Sequence, residues 1–160
     1  THFSEANENV MPYAMDGHRH LPEITQELSK LNDSMELRIT FLPHLVPMTR
    51  GILTSCYAPL RDRLVSMEEG IRSEVRDIYS NFYKNEPFVQ VVDSPPMTKY
   101  TLGGNRCLVY PYVDVRTNRL IVVSCIDNLV KGAAGQAVQN MNLMLDLPED
   151  GGLGQLALYP

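Results

Sequence analysis

Two apolar segments in the second half of the chain constrain its fold most strongly. "RCLVYPYVDV" (106–115) and "RLIVVSCIDN" (119–128) have the length and composition of strands, and only "RTN" separates them. So short a connection joins antiparallel strands, because a parallel pair needs a long crossover. The sequence therefore predicts an apolar hairpin that other elements must cover.

The remaining elements alternate in type. Apolar runs or alternating apolar residues predict further strands over 35–44, 49–60 and 87–93, and helical spacing predicts helices over 22–31, 66–85 and 133–146. The predicted buried helix faces are Ile24, Leu28 and Leu31; Ile71, Val75, Ile78 and Phe82; and Ala134, Val138, Met141 and Leu145. Strands that mostly follow one another favour a single α+β domain over residues 1–160. We expect a mixed, largely antiparallel sheet with helices on one face.

Composition and motifs narrow the function. The 160 residues carry a net charge of 14 − 19 = −5, which argues against a nucleic-acid partner. No apolar run reaches membrane-spanning length, and "THFSEANENV" lacks the features of a signal peptide, so we expect a cytoplasmic protein without a membrane partner. "LGGNRC" and "GAAGQA" lack the glycine spacing of a dinucleotide-binding motif, so the chain brings no such fold of its own.

The three cysteines favour a reducing compartment. Their number is odd and none forms a CxxC pair, so neither a disulfide framework nor a zinc ribbon is expected. Cys56, Cys107 and Cys125 all lie within apolar predicted strands. We therefore predict that all three are buried packing groups.

The stretch "GHRHLPEI" (17–24) places His18 and His20 on either side of Arg19. With Glu23 the histidines could bind a metal, but such sites need three or four ligands and the spacing of the other histidines supplies none. They could instead be solvated residues at a helix start. The third interpretation is acid–base chemistry near neutral pH, with Arg19 and Arg50 suited to a phosphate or carboxylate. The residues alone leave these alternatives open.

Several longer motifs occur in the order typical of one family. They are "THFSEANENVMPYAMDGHRHLPEI", "FLPHLVPMTRGIL", "NEPFVQVV", "TLGGNRCLV" and "DNLVKGAAGQAVQNMNLM", and they cover nearly the whole chain. Together they resemble N-acetyl-gamma-glutamyl-phosphate reductase. The resemblance implies a fold like the C-terminal domain of glyceraldehyde-3-phosphate dehydrogenase and aspartate-semialdehyde dehydrogenase, assembled as a dimer or tetramer.

The resemblance also implies a reaction. N-acetyl-L-glutamyl 5-phosphate is reduced with NADPH to N-acetyl-L-glutamate 5-semialdehyde, with release of phosphate, in arginine biosynthesis. A cysteine thiolate attacks the acyl phosphate, and hydride transfer to the resulting thioester gives a thiohemiacetal that collapses to the aldehyde. A histidine activates the thiol and exchanges a proton with the thiohemiacetal oxygen.

Residue roles follow from matching the motifs. His18 matches the acid–base histidine, and Tyr13 matches a tyrosine near the same pocket. Arg19, His20 and Arg50 are the implied contacts for the substrate's carboxylate or phosphate. Gly132, Ala133 and Gly135 are the implied neighbours of the nicotinamide, although close helix–sheet packing would equally explain such small residues. No metal is implied.

The chain departs from the family in what it lacks. The nucleotide domain is missing, and so is the Gly-Cys-aromatic-Pro-Thr nucleophile motif, which precedes the histidine segment in the family. We therefore expect the chain to be a C-terminal part of the enzyme and inactive alone, with residues of about 131–160 docking on the nucleotide domain. The alternatives are a non-catalytic oligomerisation or binding module, or a domain like that of aspartate-semialdehyde dehydrogenase.

Overall fold

The computed structural model describes residues 2–31, 37–60 and 70–158. The chain divides into two compact units, Thr1–Thr49 and Arg50–Pro160, and each is described by itself. Among the described residues, no helix combines the length and apolar character needed to cross a bilayer.

The first unit consists of short elements. Helix α1 (Phe3–Ala6) precedes strand β1 (Met11–Pro12), helix α2 (Leu21–Ser29) and strand β2 (His44–Leu45). The two strands pair antiparallel. Helix α2 carries a proline in its first turn, where the missing N–H has no helical partner to lose. This confirms the helix predicted for 22–31, but Leu28 and Leu31 of its predicted buried face are exposed.

The strand predicted over 35–44 is wrong for the residues that the structure describes there. Residues 37–43 form no strand, and only His44 begins one; residues 35 and 36 lie outside the described residues. Leu37, Ile39 and Phe41 are half-buried and alternate with exposed neighbours. The alternation of apolar and polar residues therefore indicated which side of this segment is covered. It does not show whether the backbone pairs with a neighbouring strand.

The second unit is built on a four-stranded sheet. Its elements are β3 (Ile52–Pro59), α3 (Ile71–Phe82), β4 (Val89–Val91), a 3₁₀ turn (Thr98–Thr101), β5 (Cys107–Asp114), β6 (Arg119–Ile126), a π-helical turn (Val130–Ala134) and α4 (Gly135–Met144). The strand order is β3-β6-β5-β4. β4 runs parallel to β5 and the other pairs are antiparallel, which confirms the mixed α+β sheet.

The predicted hairpin is confirmed as β5–β6, in register from Leu108 opposite Cys125 to Asp114 opposite Arg119. The Asp114 carboxylate closes its turn by accepting hydrogen bonds from Arg116 and from the Thr117 hydroxyl. These local bonds stabilise the turn, so the connection can be as short as the sequence indicated.

Helix α3 covers the sheet through its N-terminal half. Ile71 and Val75 pack on Val113 of β5, with Leu60, Tyr79 and Leu120 around them. The predicted stripe is right for Ile71 and Val75 but wrong for Ile78 and Phe82, which are 57% and 72% exposed. Farther along the helix the contact with the core passes to Tyr79, which leaves these two side chains uncovered. Residues 66–69 of the predicted helix lie outside the described residues.

Helix α4 buries polar residues. Its buried positions are Gly135, Gln139 and Asn142, whereas Met141 and Leu145 of the predicted apolar face are exposed. Gln139 accepts a hydrogen bond from Asn105 at 3.2 Å and donates one to Glu149 at 2.6 Å. Asn142 donates to the backbone carbonyls of residues 149 and 151. A hydrophobic pattern cannot reveal such a face, because its polar groups are buried together with their partners.

Candidate active site

A tight turn presents His18 in the first unit. The Gly17 N–H donates to the Ala14 carbonyl at 3.2 Å, and Gly17 has a φ of +133°, a conformation that favours glycine. The Tyr13 N–H donates to the Pro43 carbonyl at 3.1 Å, which anchors the start of the turn. These backbone hydrogen bonds therefore set the position of the main chain from which the His18 side chain extends.

Aromatic rings hold the His18 imidazole. Its centroid lies 5.6 Å from that of Tyr13 and 5.3 Å from that of Phe41, both in edge-to-face orientation. The His20 ring lies at 4.8 Å. His18 and Tyr13 are half-buried, so the imidazole is packed on one side and accessible on the other. The structure thus brings together His18 and its predicted neighbours Tyr13 and His20.

A backbone hydrogen bond determines the tautomer of His18. The His20 N–H donates to Nδ1 of His18 at 3.2 Å. Because that nitrogen accepts, the neutral ring carries its proton on Nε2. His18 therefore presents a single N–H group to anything that approaches the ring from the other side.

Arg19 and His20 are both exposed at the start of α2. His20 occupies the N-cap position of that helix, and its carbonyl accepts from the Ile24 N–H at 2.9 Å. Among the described residues, no group of three His, Cys, Asp or Glu side chains could hold a metal ion. The metal interpretation of the two histidines therefore has no support in the described part of the chain.

Arg50 lies in the second unit, where Asp127 binds its guanidinium. Nη2 of Arg50 lies 3.0 Å from Oδ1 and 2.9 Å from Oδ2 of Asp127. Burial by itself would raise the pKa of Asp127, but the N–H groups of Gly103, Leu129 and Val130, together with Arg50, hold that pKa below its usual value. Asp127 is therefore an ionised carboxylate at neutral pH, and Arg50 is a partly exposed cation fixed against it.

The three predicted cofactor neighbours differ in their surroundings. Gly132 and Ala133 are exposed on the π-helical turn, whereas Gly135 is buried. A Cβ at Gly135 would lie 2.3 Å from Oδ1 of Asn105, so glycine is required there by contact with this chain's own atoms. Lys131, on the same turn, donates to Gln139 at 2.7 Å, and burial lowers its pKa.

The prediction of three buried cysteines is wrong for Cys56. All three lie on strands, but Cys56 is exposed, Cys107 is half-buried and Cys125 is buried. Cys56 lies on β3, an edge strand that pairs only with β6 in the described sheet, so it has fewer covering neighbours. Desolvation still raises the pKa of Cys56 and Cys107, and raises that of Cys125 to about 11. None of the three is an activated thiolate.

Comparison with known proteins identifies the family of this chain. The sequence profile described as "Semialdehyde dehydrogenase, dimerisation domain" matches residues 1–128. The chain belongs to this family. The dimerisation domain thus includes the His18 turn, Arg50 and Asp127, while the π-helical turn and α4 follow the matched residues.

Individual relatives of this dimerisation domain are reductases. It is 56% identical over 158 residues to the N-acetyl-gamma-glutamyl-phosphate reductase of Dehalococcoides mccartyi, covering 99% of this chain and 45% of that protein. The enzyme of the same name from Pelotomaculum thermopropionicum is 49% identical, with 100% and 45% covered. These relatives confirm the resemblance drawn from the motifs. The chain spans less than half the length of each.

A solved structure supports the fold. Aspartate semialdehyde dehydrogenase II from Vibrio cholerae aligns with a TM-score of 0.62 at 18% identity, covering 90% of this chain and 43% of that one. At this identity the likeness concerns the fold alone. It agrees with the α+β architecture predicted from the sequence.

Four residues of the dimerisation domain and its adjoining turn were not singled out by sequence reasoning. Phe41 packs on His18. Asp127 binds the Arg50 guanidinium, and Asn128 accepts a hydrogen bond from the Gly51 N–H. Lys131 donates to Gln139 and so joins its hydrogen-bond network. One signal was available for the aspartate. It directly follows an apolar strand and precedes a helical segment within "DNLVKGAAGQA", where an acidic side chain can cap backbone N–H groups.

Proposed function

We propose that this chain is part of an NADP-dependent N-acetyl-gamma-glutamyl-phosphate reductase. The enzyme reduces N-acetyl-L-glutamyl 5-phosphate to N-acetyl-L-glutamate 5-semialdehyde, releases phosphate, and acts in arginine biosynthesis. Support comes from relatives of that name at 56% and 49% identity over essentially the whole chain. All three cysteines are free, as is usual in reducing compartments, and we place the enzyme in the cytoplasm.

His18 is the observation that carries the proposal. Its ring is packed between Tyr13 and Phe41, and Nδ1 is occupied by the His20 N–H, so Nε2–H is the group left for substrate. A held imidazole N–H can donate a hydrogen bond to a developing oxyanion. To take a proton from a thiol at Nε2 and later pass it to that oxygen, the ring has to carry its own hydrogen on Nδ1, which gives up the hydrogen bond that the His20 N–H donates there.

Anion contacts complete the chain's proposed contribution. Arg50 offers a guanidinium fixed by Asp127, and such a planar group matches a carboxylate or phosphate. Arg19 and His20 are exposed beside His18 and are proposed as further contacts. Tyr13 supports the His18 ring from its edge and is proposed to line the same pocket.

NADPH would supply the hydride when bound. Of the three proposed neighbours of its nicotinamide, Gly132 and Ala133 are exposed and could be approached by a flat ring, while Gly135 is buried next to Asn105. The chain has no dinucleotide-binding motif, so we expect most contacts with NADPH to come from a nucleotide domain. Exposed apolar side chains, among them Met141, Met144 and Leu156, support docking of residues of about 131–160 on that domain.

We further propose that the chain forms a homo-oligomer through the sheet face opposite α3. Leu53 and Tyr57 of β3 lie on that face, because Ala58 pairs with Leu120, which packs on the α3 side. Both are large apolar residues left exposed on an edge strand, as at an unformed interface. The family description, a dimerisation domain, is consistent with this assignment.

Tyr57→Asp tests the interface, because it places a charge where apolar contact is proposed. We expect sedimentation velocity to show a smaller species than the unchanged chain at the same concentration. Phe82→Asp is the matched control, because Phe82 is an exposed position of α3, and it should leave the assembly unchanged. An intact oligomer with Tyr57→Asp, or dissociation by Phe82→Asp, would place the interface elsewhere.

A chimera tests the proposed activity. This chain replaces the matching 45% of the Dehalococcoides mccartyi reductase, and the product is assayed for NADPH oxidation with N-acetyl-L-glutamyl 5-phosphate. We expect activity with this substrate and little with the acyl phosphate of aspartate, whereas the isolated chain should be inactive and bind NADPH weakly in calorimetry. A folded chimera without activity would favour a non-catalytic module, and preference for the aspartyl substrate would favour the sister enzyme.

A further inference from the structure

Asp127 connects three segments of the second unit through one buried carboxylate. It follows β6 and is 0% exposed. Its Oδ2 accepts from the Gly103 N–H at 2.6 Å, and its Oδ1 accepts from the N–H groups of Leu129 and Val130 at 2.8 and 3.1 Å. Both oxygens also contact Nη2 of Arg50. The carboxylate is thus held by the backbone on two sides before it meets the guanidinium.

The neighbouring residue holds the backbone beside Arg50. Oδ1 of Asn128 accepts from the Gly51 N–H at 2.7 Å. Consecutive residues of one turn therefore bind both the Arg50 side chain and the main chain that follows it. An arginine side chain has several rotatable bonds. The ion pair with Asp127 holds its far end, and the bond to Gly51 holds the main chain beside it.

The guanidinium retains an unused donor. Nε of Arg50 is buried and has no hydrogen-bond partner among the described residues, while the side chain as a whole is 32% exposed. A buried N–H without an acceptor is costly, so native structures seldom keep one without a purpose. The arrangement holds the Arg50 guanidinium on the Asp127 side, while the exposed part of the side chain stays accessible to an acceptor that is not part of the described chain.

We propose that Asp127 is a positioning residue that holds the Arg50 guanidinium in the orientation that receives the anionic group of the substrate. This rests on the proposed function, in which Arg50 contacts that group. A prearranged guanidinium binds without first losing its rotamer freedom, whereas a free one must lose it on each binding event. Asp127 therefore acts on substrate affinity through Arg50 and does not contact the reacting atoms.

Kinetics of the chimera test this coupling. Asp127→Asn is expected to raise KM for the acyl phosphate about tenfold, with little change in kcat or in KM for NADPH. In an Arg50→Ala background, Asp127→Asn should have no further effect on KM. Asp114→Asn is the matched control, since Asp114 accepts several hydrogen bonds at the opposite end of the β5–β6 hairpin. It should leave all three parameters unchanged.

Nuclear magnetic resonance of the isolated chain tests the positioning without any activity. The Arg50 Nε–H should exchange slowly with solvent in the unchanged chain and in Asp114→Asn, and rapidly in Asp127→Asn. Rapid exchange in the unchanged chain, or equal protection in Asp127→Asn, would overturn the inference. So would a KM effect of Asp127→Asn that persists without Arg50. By contrast, Arg50→Ala with an unchanged KM would contradict the proposed role of Arg50, while the exchange experiment still decides whether Asp127 holds it.

Discussion

Replacing His18 by alanine in the chimera is expected to lower kcat by about 10²–10⁴-fold, the usual contribution of a positioned acid–base group. The expected loss is in kcat because the proton is transferred in the chemical steps. Folding should be nearly unaffected, since His18 is only half-buried and belongs to a turn whose hydrogen bonds are made by the backbone. Steady-state kinetics and a thermal melt of the same sample measure both effects.

His20→Ala is the matched control for this experiment. It removes an imidazole two residues away but keeps the backbone N–H that donates to Nδ1 of His18. The tautomer of His18 is therefore preserved, and we expect the main change in KM, as for an anion contact. If His18→Ala keeps a near-normal kcat, or if His20→Ala causes the larger loss of kcat, the acid–base assignment of His18 is wrong.

Gly135→Ala is expected to destabilise the isolated chain by about 1–3 kcal/mol, the usual cost of overpacking a filled interior. The new Cβ would lie 2.3 Å from Oδ1 of Asn105 and 2.8 Å from the Val130 carbonyl oxygen. Neither atom belongs to a flexible exposed side chain, so the helix or the Asn105–Gln139 hydrogen bond has to shift. Urea unfolding, followed by circular dichroism, gives the change in the free energy of unfolding.

Gly132→Ala is the control from the same motif. Its Cβ would meet nothing closer than 3.4 Å, which is ordinary contact, and we expect an unchanged or slightly higher stability. The two variants also distinguish the two explanations of these small residues, which are proximity to the nicotinamide and close packing of the helix on the sheet. If Gly132→Ala weakens NADPH binding by the chimera while stability is kept, Gly132 lies near the cofactor. Equal stability of the two variants would show that Gly135 is not required by packing.

The sequence predicted elements more reliably than helix faces. The hairpin, the strands of the sheet and the long helices were all located, because their apolar patterns arise from local spacing. The predictions of burial failed where burial depends on which residues the tertiary structure places against the element. Met141 and Leu145 are exposed because α4 buries Gln139 and Asn142, and Cys56 is exposed because β3 is an edge strand.

In the candidate site, too, local motifs could be predicted and contacts between distant residues could not. His18, its neighbour Tyr13 and the cation Arg50 were named because they lie in motifs that match those of the family. Phe41 and Asp127 were missed. Each acts through a contact between residues distant in the chain, such as the 77 positions that separate Arg50 from Asp127.

By itself, then, the sequence determined most of the element types, the mixed α+β class and the family, all of which depend on local spacing or on motif identity. Only the tertiary structure decided which faces are buried, which nitrogen of His18 is free and which carboxylate holds Arg50. The physical reason is that a hydrogen bond or a packing contact depends on distance in space, and chain order does not reveal which distant residues meet.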